Sequence, residues 1–255
     1  PKSMNSWVNQ DVLDVREDTV HSHTDYRTVP KKWLGEQFLI EAEHLKEVKP
    51  KSYEHEYLGI ATGTGGAVFE NVTVRKITDD EIAVFDRIKQ GLDFGYGADP
   101  LAYIKMHYNS RQKRLFLFGE IYAVKLGNAK AAREIRKFNP LNKPITADSE
   151  EPRAIAALNE LGLRVIPAKK GPGSVDYGME YLADEVEEII IDPKRCPNAV
   201  REFTGYELEM DKDGNFKGSY PDKNNHTIDA VRYGMEDEMI RRRACVKNKK
   251  KYGFN

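Results

Sequence analysis

Three aspartates in this 255-residue chain stand at positions where carboxylates could share a metal ion. Asp93 follows a short apolar segment within the glycine-rich stretch 91–100, which reads Gly-Leu-Asp-Phe-Gly-Tyr-Gly-Ala-Asp-Pro. Asp148 ends another short apolar segment, and Asp229 lies three residues after His226 in a helical pattern. Aspartate is unfavourable in strands, and a buried carboxylate without a partner is costly, but a bound cation removes that cost. The pattern therefore indicates a cation site.

Each of these positions also has a simpler interpretation. The stretch around Asp93, taken alone, favours an ordinary turn, since Asp and Gly are turn formers. Asp148 is typical of a helix N-cap, and His226 could be a polar residue at the start of a helix. The tripeptide Asp-Phe-Gly also occurs in protein kinases, but the other kinase motifs are missing from the sequence, which excludes that class. Only the arrangement of all these residues together favours a metal centre.

The apolar periodicity predicts a mixed sheet flanked by helices. A first strand ends at Asp93, and the further predicted strands are 101–109, 114–123, 144–148, 163–168 and 189–192. The predicted helices are 128–138 with Asn128 as N-cap, 151–161, 174–188 capped by Ser174, 198–204 and 225–243. Short links require the first three strands to pair antiparallel, and a helical crossover requires the fourth to lie parallel to the first. This is the layout of a ribonuclease-H-like α/β fold.

This layout brings the carboxylates together. Because the ends of the first and fourth strands are adjacent, Asp93 and Asp148 would repel each other unless a cation lies between them. His226 and Asp229 share one helix face, which would turn toward the same strand ends. Three carboxylates suit Mg²⁺ or Mn²⁺, and two such ions can activate water and stabilise the leaving oxygen of a phosphodiester. His226 would either bind the second ion or handle a proton.

The same residues resemble the nuclease domain of the large terminase subunit of tailed double-stranded-DNA bacteriophages, of the headful-packaging type. Four motifs carry the resemblance, at 91–97, 146–149, 169–174 and 226–233. The resemblance implies a ribonuclease-H-like fold and metal-dependent cutting of viral DNA concatemers during packaging. It places the family's metal-binding acids at Asp93, Asp148 and Asp229, with His226 beside them. In some relatives the middle position is Glu.

The resemblance also divides the chain and implies its partners. Residues 1–66 correspond to the end of a preceding ATPase domain and its linker, 67–243 to the nuclease domain with a hairpin at 206–220, and 244–255 to a basic tail. The sequence has no Walker A motif, so the packaging motor is missing or lies upstream. The implied partners are double-stranded DNA, the small terminase subunit, the portal protein of the procapsid and the upstream ATPase domain. The implied location is the host cytoplasm, at the portal.

Composition adds weaker indications. The net charge is −1, so overall charge does not point to nucleic acid. Lys169 and Lys170 precede a glycine-rich loop, and these lysines, with Arg241 and Arg242, would either contact DNA phosphates or remain solvated. Two cysteines without zinc or disulfide spacing fit a reducing, intracellular setting, and no apolar run is long enough to span a membrane. Glu120, within the third strand, is expected to face solvent rather than join the acids.

The sequence leaves other functions open. A junction resolvase or a transposase-type nuclease would use the same fold, although no extra DNA-reading domain is evident. A non-catalytic module that docks a packaging motor onto the portal would not need the acids. An actin-like sugar kinase begins with a similar hairpin but requires a longer, duplicated chain. The types and order of the acidic residues favour the endonuclease.

Overall fold

The computed structural model describes residues 22–48, 50–60, 66–95, 99–211 and 216–240, with the side chains of residues 51 and 52 excepted. Its contacts divide the chain into two compact units, residues 1–67 and 68–255. No helix within the described ranges is long and apolar enough to cross a membrane. The four candidate metal-site residues all belong to the second unit.

In its described residues, the first unit contains three α-helices, a 3₁₀ helix at Tyr26–Thr28 and a cluster of aromatic side chains. The helices are α1 (Lys31–Leu34), α2 (Glu36–Val48) and α3 (Pro50–Leu58). Helix α3 begins directly at Pro50, because proline fits the first turn of a helix. The rings of Tyr26, Phe38, Tyr53 and Tyr57 pack against one another, and the hydroxyls of Tyr26 and Tyr53 lie 2.8 Å apart.

A seven-stranded mixed sheet forms the centre of the second unit. Its strands are β1 (Val72–Val74), β2 (Ile88–Asp93), β3 (Pro100–Asn109), β4 (Arg114–Val124), β5 (Ile145–Ala147), β6 (Val165–Pro167) and β7 (Glu188–Ile191). Their order across the sheet is β1-β7-β4-β3-β2-β5-β6. β2, β3 and β4 pair antiparallel, whereas β1, β5, β6 and β7 pair parallel to their neighbours. The predicted sequence of antiparallel and then parallel strands is therefore confirmed.

Helices cover both faces of this sheet. They are α4 (Asp79–Ala83), α5 (Asn128–Phe138), α6 (Pro152–Glu160), α7 (Ser174–Glu180), α8 (Pro197–Gly205) and α9 (His226–Gly234). Alternate residues of β3 point to opposite faces. Ile104 and Met106 therefore pack into one hydrophobic cluster with α9, while Leu101 and Tyr103 pack into another with α5 and α6. Burial on both faces explains the almost continuous apolar run of this strand.

The register of the central strands sets the positions of two acidic residues. Leu92 of β2 pairs with Ala147 of the parallel strand β5, so Asp93 and Asp148 are the next residues along these two strands. The Asp148 amide donates to the Leu92 carbonyl at 3.1 Å, which extends the ladder to this point. Both carboxylates therefore leave the sheet side by side, at the carboxyl ends of β2 and β5.

Two predicted helices differ from the structure in their extent. The helix predicted at 174–188 ends early and continues as a π-helical turn, Tyr181–Glu185. The helix predicted at 225–243 is interrupted by a turn at Met235, and helical backbone resumes at 236–240. Glycine precedes that turn, and glycine is a poor residue for the interior of a helix.

Two predicted helix caps move by one residue. Gly127 takes the cap position in place of Asn128, and Gly173 takes it in place of Ser174. Gly173 has a φ of 69°, a left-handed conformation that favours glycine because it has no Cβ. Backbone conformation, rather than a side-chain hydrogen bond, therefore starts these two helices.

The hairpin predicted at 206–220 is reduced, in its described part, to one antiparallel bridge between Met210 and Phe216. These two side chains remain 43% and 41% exposed, so the pairing buries little apolar surface. An isolated two-stranded hairpin is only marginally stable in water. Residues 212–215, between these two bridge residues, lie outside the described ranges.

Helix α9 lies directly against β2, with glycine on both sides of the contact. A Cβ atom placed on Gly91 would lie 1.6 Å from the Ala230 carbonyl oxygen, and one placed on Gly234 would lie 3.1 Å from the Gly91 nitrogen. No side chain larger than hydrogen therefore fits at Gly91 while the helix keeps its place. This close approach holds Asp229 beside the end of β2.

Gly91→Ala is expected to lower the free energy of unfolding by about 3 kcal/mol, because the added methyl group forces α9 away from the sheet. Urea or thermal unfolding followed by circular dichroism measures this loss. Gly218→Ala is the matched control, since nothing lies within 4 Å of its added Cβ. The control should remain within about 0.5 kcal/mol of the wild type. Equal stability of the two variants would contradict the close packing of α9 on β2.

Candidate metal centre

Four side chains meet at the carboxyl ends of β2 and β5. Asp93 is the last residue of β2, Asp148 follows β5, and His226 and Asp229 lie in the first turn of α9. Their spacing places His226 and Asp229 on one face of that helix. The Nδ1 atom of His226 lies 3.1 Å from Asp93 Oδ2, and Tyr233 of the same helix donates to Asp148 Oδ2 at 3.3 Å. Helix α9 is thus joined to both strand ends.

Burial and repulsion from neighbouring carboxylates disturb the ionisation of Asp93 and Asp229. Asp93 is only 7% exposed; burial raises its pKa to about 6, with His226 opposing this and the Asp229 and Asp148 carboxylates reinforcing it. Burial also raises the pKa of Asp229 above its ordinary value, against the opposite effect of Arg232. The hydrogen bond to Asp93 raises the pKa of His226, although burial lowers it. The three carboxylates therefore share one electrostatic environment.

Each carboxylate is paired with a side chain that is positively charged or can become so. Arg232 donates from Nε and Nη2 to Asp229 Oδ1 at 3.1 and 3.0 Å. Lys170 places its Nζ 2.6 Å from Asp148 Oδ1, and Asp93 has His226 as its partner. Burial acts to lower the pKa of Lys170, but its hydrogen bonds to acidic side chains raise it overall, so the ammonium stays charged.

The donor set fits a hard divalent cation in chemical type. Carboxylate oxygens are the ligands that Mg²⁺ and Mn²⁺ prefer, and a cation would offset both the burial that chiefly raises the Asp93 pKa and the repulsion from Asp229 and Asp148 that adds to it. Among the described residues, however, no three His, Cys, Asp or Glu side chains form a closed ligand set. The reason is visible in the pairing, since Asp148 is turned toward Lys170 and Asp229 toward Arg232. Protein cations neutralise the acids in this arrangement.

The residues predicted to contact DNA phosphates have different surroundings. Lys170 contacts Asp148, whereas the backbone amide of Lys169 donates to the Glu236 carboxylate. Arg241 and Arg242 lie outside the described residues, as does the basic tail at 244–255. Lys170, which was predicted to contact DNA phosphates, is therefore paired with the candidate metal ligand Asp148 in this structure.

Glu202 is a buried acid near the site that the sequence interpretation does not single out. It is 1% exposed, and its Oε2 atom accepts hydrogen bonds from the Thr227 amide and hydroxyl, each at 2.6 Å. Its Oε1 atom accepts from the Tyr122 hydroxyl at 2.9 Å. A carboxylate at a helix N-terminus satisfies unpaired amides and complements the helix dipole. Glu202 thereby fixes the turn that carries His226.

Glu120 was expected to face solvent, and this expectation is wrong. Its carboxylate accepts hydrogen bonds from the amides of Asn198 and Ala199 and from the Asn198 side chain, at 2.7 to 3.2 Å. It therefore caps the start of α8 from a neighbouring strand. The expectation failed because helix α8 lies against Glu120, a contact between distant parts of the chain that alternation along β4 does not predict.

A mixed sheet in this order, with acids at the ends of adjacent central strands and on the packed helix, defines a ribonuclease-H-like α/β domain. Residues 93–237 match the family model described as "Terminase RNAseH like domain". The chain belongs to this family, the nuclease domains of phage large terminase subunits. The matched region contains Asp93, Asp148, His226 and Asp229.

Two curated large-subunit relatives match most of the chain. The "Terminase, large subunit" of Bacillus phage SPP1 is 43% identical over 245 residues, which are 94% of this chain and 57% of the relative. The "PBSX phage terminase large subunit" of Bacillus subtilis strain 168 is 26% identical over 237 residues, 88% of this chain and 52% of the relative. The chain thus spans little more than half the length of either relative. The predicted resemblance to large terminase subunits is confirmed.

Solved structures share the fold. The nuclease domain of the SPP1 large terminase, crystallised with bound Mn, gives a TM-score of 0.63 at 45% identity and covers 67% of this chain and 98% of that domain. The nuclease domain of the P22 large terminase gives 0.52 at 17% identity, covering 68% of this chain and 92% of that domain, which shows the fold alone. The ribonuclease-H-like prediction is confirmed, and the predicted Mg²⁺ or Mn²⁺ agrees with the ion in the SPP1 domain.

Asp93→Asn is expected to stabilise the metal-free protein at neutral pH by about 1 to 3 kcal/mol, because it removes a carboxylate that is hard to ionise. The pKa of about 6 in the folded state lies above the ordinary 3.8. The cost of ionisation is therefore absent below about pH 4 and grows until about pH 6. Urea unfolding in chelator across this range measures the difference. The exposed Asp176→Asn should show no gain, and a destabilised Asp93→Asn at neutral pH would refute the prediction.

Glu202→Ala is expected to lower the free energy of unfolding by about 2 to 4 kcal/mol, because the Thr227 amide and the Tyr122 hydroxyl lose their buried partner. Chemical denaturation measures this loss. Glu209→Ala is a suitable control, since its ion pairs with Lys217 and Lys223 are on the surface and should contribute less than about 1 kcal/mol. Similar losses in the two variants would show that Glu202 does not hold the helix.

Proposed function

We propose that this chain carries a metal-dependent endonuclease that hydrolyses phosphodiester bonds of double-stranded DNA. The proposal is supported by the placement of Asp93 and Asp148 at the ends of adjacent parallel strands, with Asp229 on the helix packed against β2, in a chain of the terminase family. Oxygen donors of this kind suit Mg²⁺ or Mn²⁺. The related SPP1 domain, which was crystallised with bound Mn, supports the same chemistry.

We assign Asp93, Asp148 and Asp229 as metal ligands, with His226 as a further ligand or as a proton-transfer group. When bound, two divalent ions supply an activated water and stabilise the leaving oxygen of the phosphodiester. The nitrogen atoms of His226 face two carboxylates, with Nδ1 at 3.1 Å from Asp93 and Nε2 at 4.0 Å from Asp99. This environment favours the protonated imidazole, which suits a group that holds or delivers a proton at a phosphate.

Neutral donors hold two of the carboxylates in defined orientations. Tyr233 donates to Asp148 Oδ2, and the Asn225 side chain donates to Asp229 Oδ2, both at 3.3 Å. Both donors lie on α9 or directly before it, so the helix that carries Asp229 also orients Asp148. Such pre-set orientation reduces the rearrangement needed when a charged substrate arrives.

The substrate and the partners follow from the family rather than from contacts in this chain. We propose that the enzyme cuts concatemeric viral DNA during genome packaging, in the host cytoplasm at the portal of the procapsid, with the small terminase subunit as a further partner. Residues 1–66 would be the end of an ATPase domain and its linker, 67–243 the nuclease domain, and 244–255 a basic tail. Lys169, Lys170, Arg241 and Arg242 would add phosphate contacts that carry no sequence information.

Plasmid cleavage tests the proposed function. The full chain is expected to nick and linearise supercoiled DNA with Mg²⁺ or Mn²⁺ and to do neither in chelator. Asp229→Ala and Asp93→Asn should lose at least about a hundredfold in rate, because each removes a charged oxygen donor where negative charge must be neutralised. Asp176→Asn, an exposed aspartate of α7, is the matched control and should cut at the wild-type rate.

Cleavage by Asp93→Asn with unchanged metal dependence would refute the ligand assignment. Failure of the wild type to cut under any ion would favour the docking-module alternative, provided that calorimetry also detects no Mn²⁺ binding. Mn²⁺ binding without cleavage would instead show that the metal centre is intact and that cutting needs other parts of the packaging machine.

A further inference from the structure

Lys170 forms an ion pair with Asp148, one of the carboxylates that the proposed metal centre would need to be free. It lies three residues after strand β6, whose end is adjacent to that of β5, and its Nζ is 2.6 Å from Asp148 Oδ1. The same ammonium is 2.9 Å from Glu150 Oε1 and 5.5 Å from the centre of the Tyr233 ring. Three surrounding groups therefore hold this one positive charge at the end of β5.

The oxygens of Asp148 are engaged by protein donors. Oδ1 accepts from Lys170 and from the Glu150 amide at 2.9 Å, and Oδ2 accepts from Tyr233 at 3.3 Å. The contact with Lys170 is the charged one and directly opposes a cation on the same oxygen. A divalent ion can use Asp148 fully only after the ammonium has moved.

Arg232, the charged partner of Asp229, is fixed by its packing in the core. The Arg232 side chain is 6% exposed and binds Asp229 through two nitrogens. Its stem fills the space left by Gly178, where an added Cβ would lie 2.3 Å from Arg232 Cδ. Withdrawal of Arg232 would open a cavity in the core, which is costly.

Lys170, in contrast, is placed to move. Its side chain is 27% exposed, and it is followed by the segment Gly171-Pro172-Gly173. Nothing lies within 4 Å of a Cβ added to Gly171 or Gly173, so the loop is free of close packing at these points. An ammonium on a long flexible stem can exchange a carboxylate for a phosphate without disturbing the sheet.

We propose that Lys170 is an internal counter-ion that holds Asp148 in the metal-free enzyme and transfers to a phosphate of DNA, so that DNA binding and metal binding favour each other. This inference rests on the proposed nuclease function and specifies how its site is regulated. Without DNA, the ammonium competes with the ion for Asp148. With DNA, a phosphate attracts the ammonium and frees the carboxylate. Linkage requires the metal to strengthen DNA binding by the same factor.

Calorimetric titration with Mn²⁺ tests the proposal without reliance on activity. Lys170→Met is expected to bind Mn²⁺ about tenfold more tightly than the wild type in the absence of DNA, a factor typical of one hydrogen bond to a charged group. Lys170→Gln, which removes the charge but keeps a polar group, should behave in the same way. Lys130→Met is the matched control, with the same charge change at an exposed lysine of α5, and should stay within about twofold of the wild type.

The same titration is then repeated with a short DNA duplex present, after subtraction of the Mn²⁺ bound by the duplex alone. The wild type and Lys130→Met should gain Mn²⁺ affinity from the duplex, and Lys170→Met should gain clearly less. Wild-type or weaker Mn²⁺ affinity in both Lys170 variants, with Asp148→Asn impaired, would overturn the counter-ion role alone. Absence of Mn²⁺ binding in every protein, with and without DNA, would overturn the metal centre and the inference with it.

Discussion

The contact between α9 and β2 is the constraint on which the site depends. Backbone meets backbone at Gly91, so the helix cannot approach or retreat without a gap or a clash. This contact carries Asp229 and His226 to the strand end that holds Asp93, and the parallel pairing of β2 with β5 adds Asp148. Two backbone relations, one between helix and strand and one between strands, therefore bring together the four candidate site residues from three distant parts of the sequence.

The assembled acids are held in an unfavourable electrostatic state. Asp93 is buried among other carboxylates, and its pKa of about 6 expresses the free energy needed to ionise it there. His226, Lys170 and Arg232 each neutralise one acid, but they differ in mobility. Arg232 is packed into the core, whereas Lys170 lies on a glycine-containing loop at the surface. The site therefore combines a permanent counter-charge with an exchangeable one, which is how a fixed fold can present acids either to its own cations or to incoming ones.

Other acids of this domain have purely structural contacts, and the sequence does not distinguish the two kinds. Glu202 and Glu120 bind the amide ends of α9 and α8, and in doing so they fix the helices that frame the centre. Glu120 and Glu202, like Asp148, are acidic residues with apolar residues close by in the sequence. What separates them is whether a helix N-terminus or another carboxylate lies within reach, and this depends on contacts between residues that are far apart in the chain.

Apolar periodicity and short links are local properties, and they were enough to predict the pairing of the first four expected strands, most helices of the second unit and the four candidate site residues. The sequence also contained the family motifs that place the chain among large terminase subunits. The folded chain was needed to reveal the single bridge in the described part of the hairpin 206–220, the capping roles of Glu120 and Glu202, and the contact of Lys170 with Asp148. These features depend on burial and charge where segments distant in the sequence come into contact. The local sequence around each residue does not specify which distant segment will contact it.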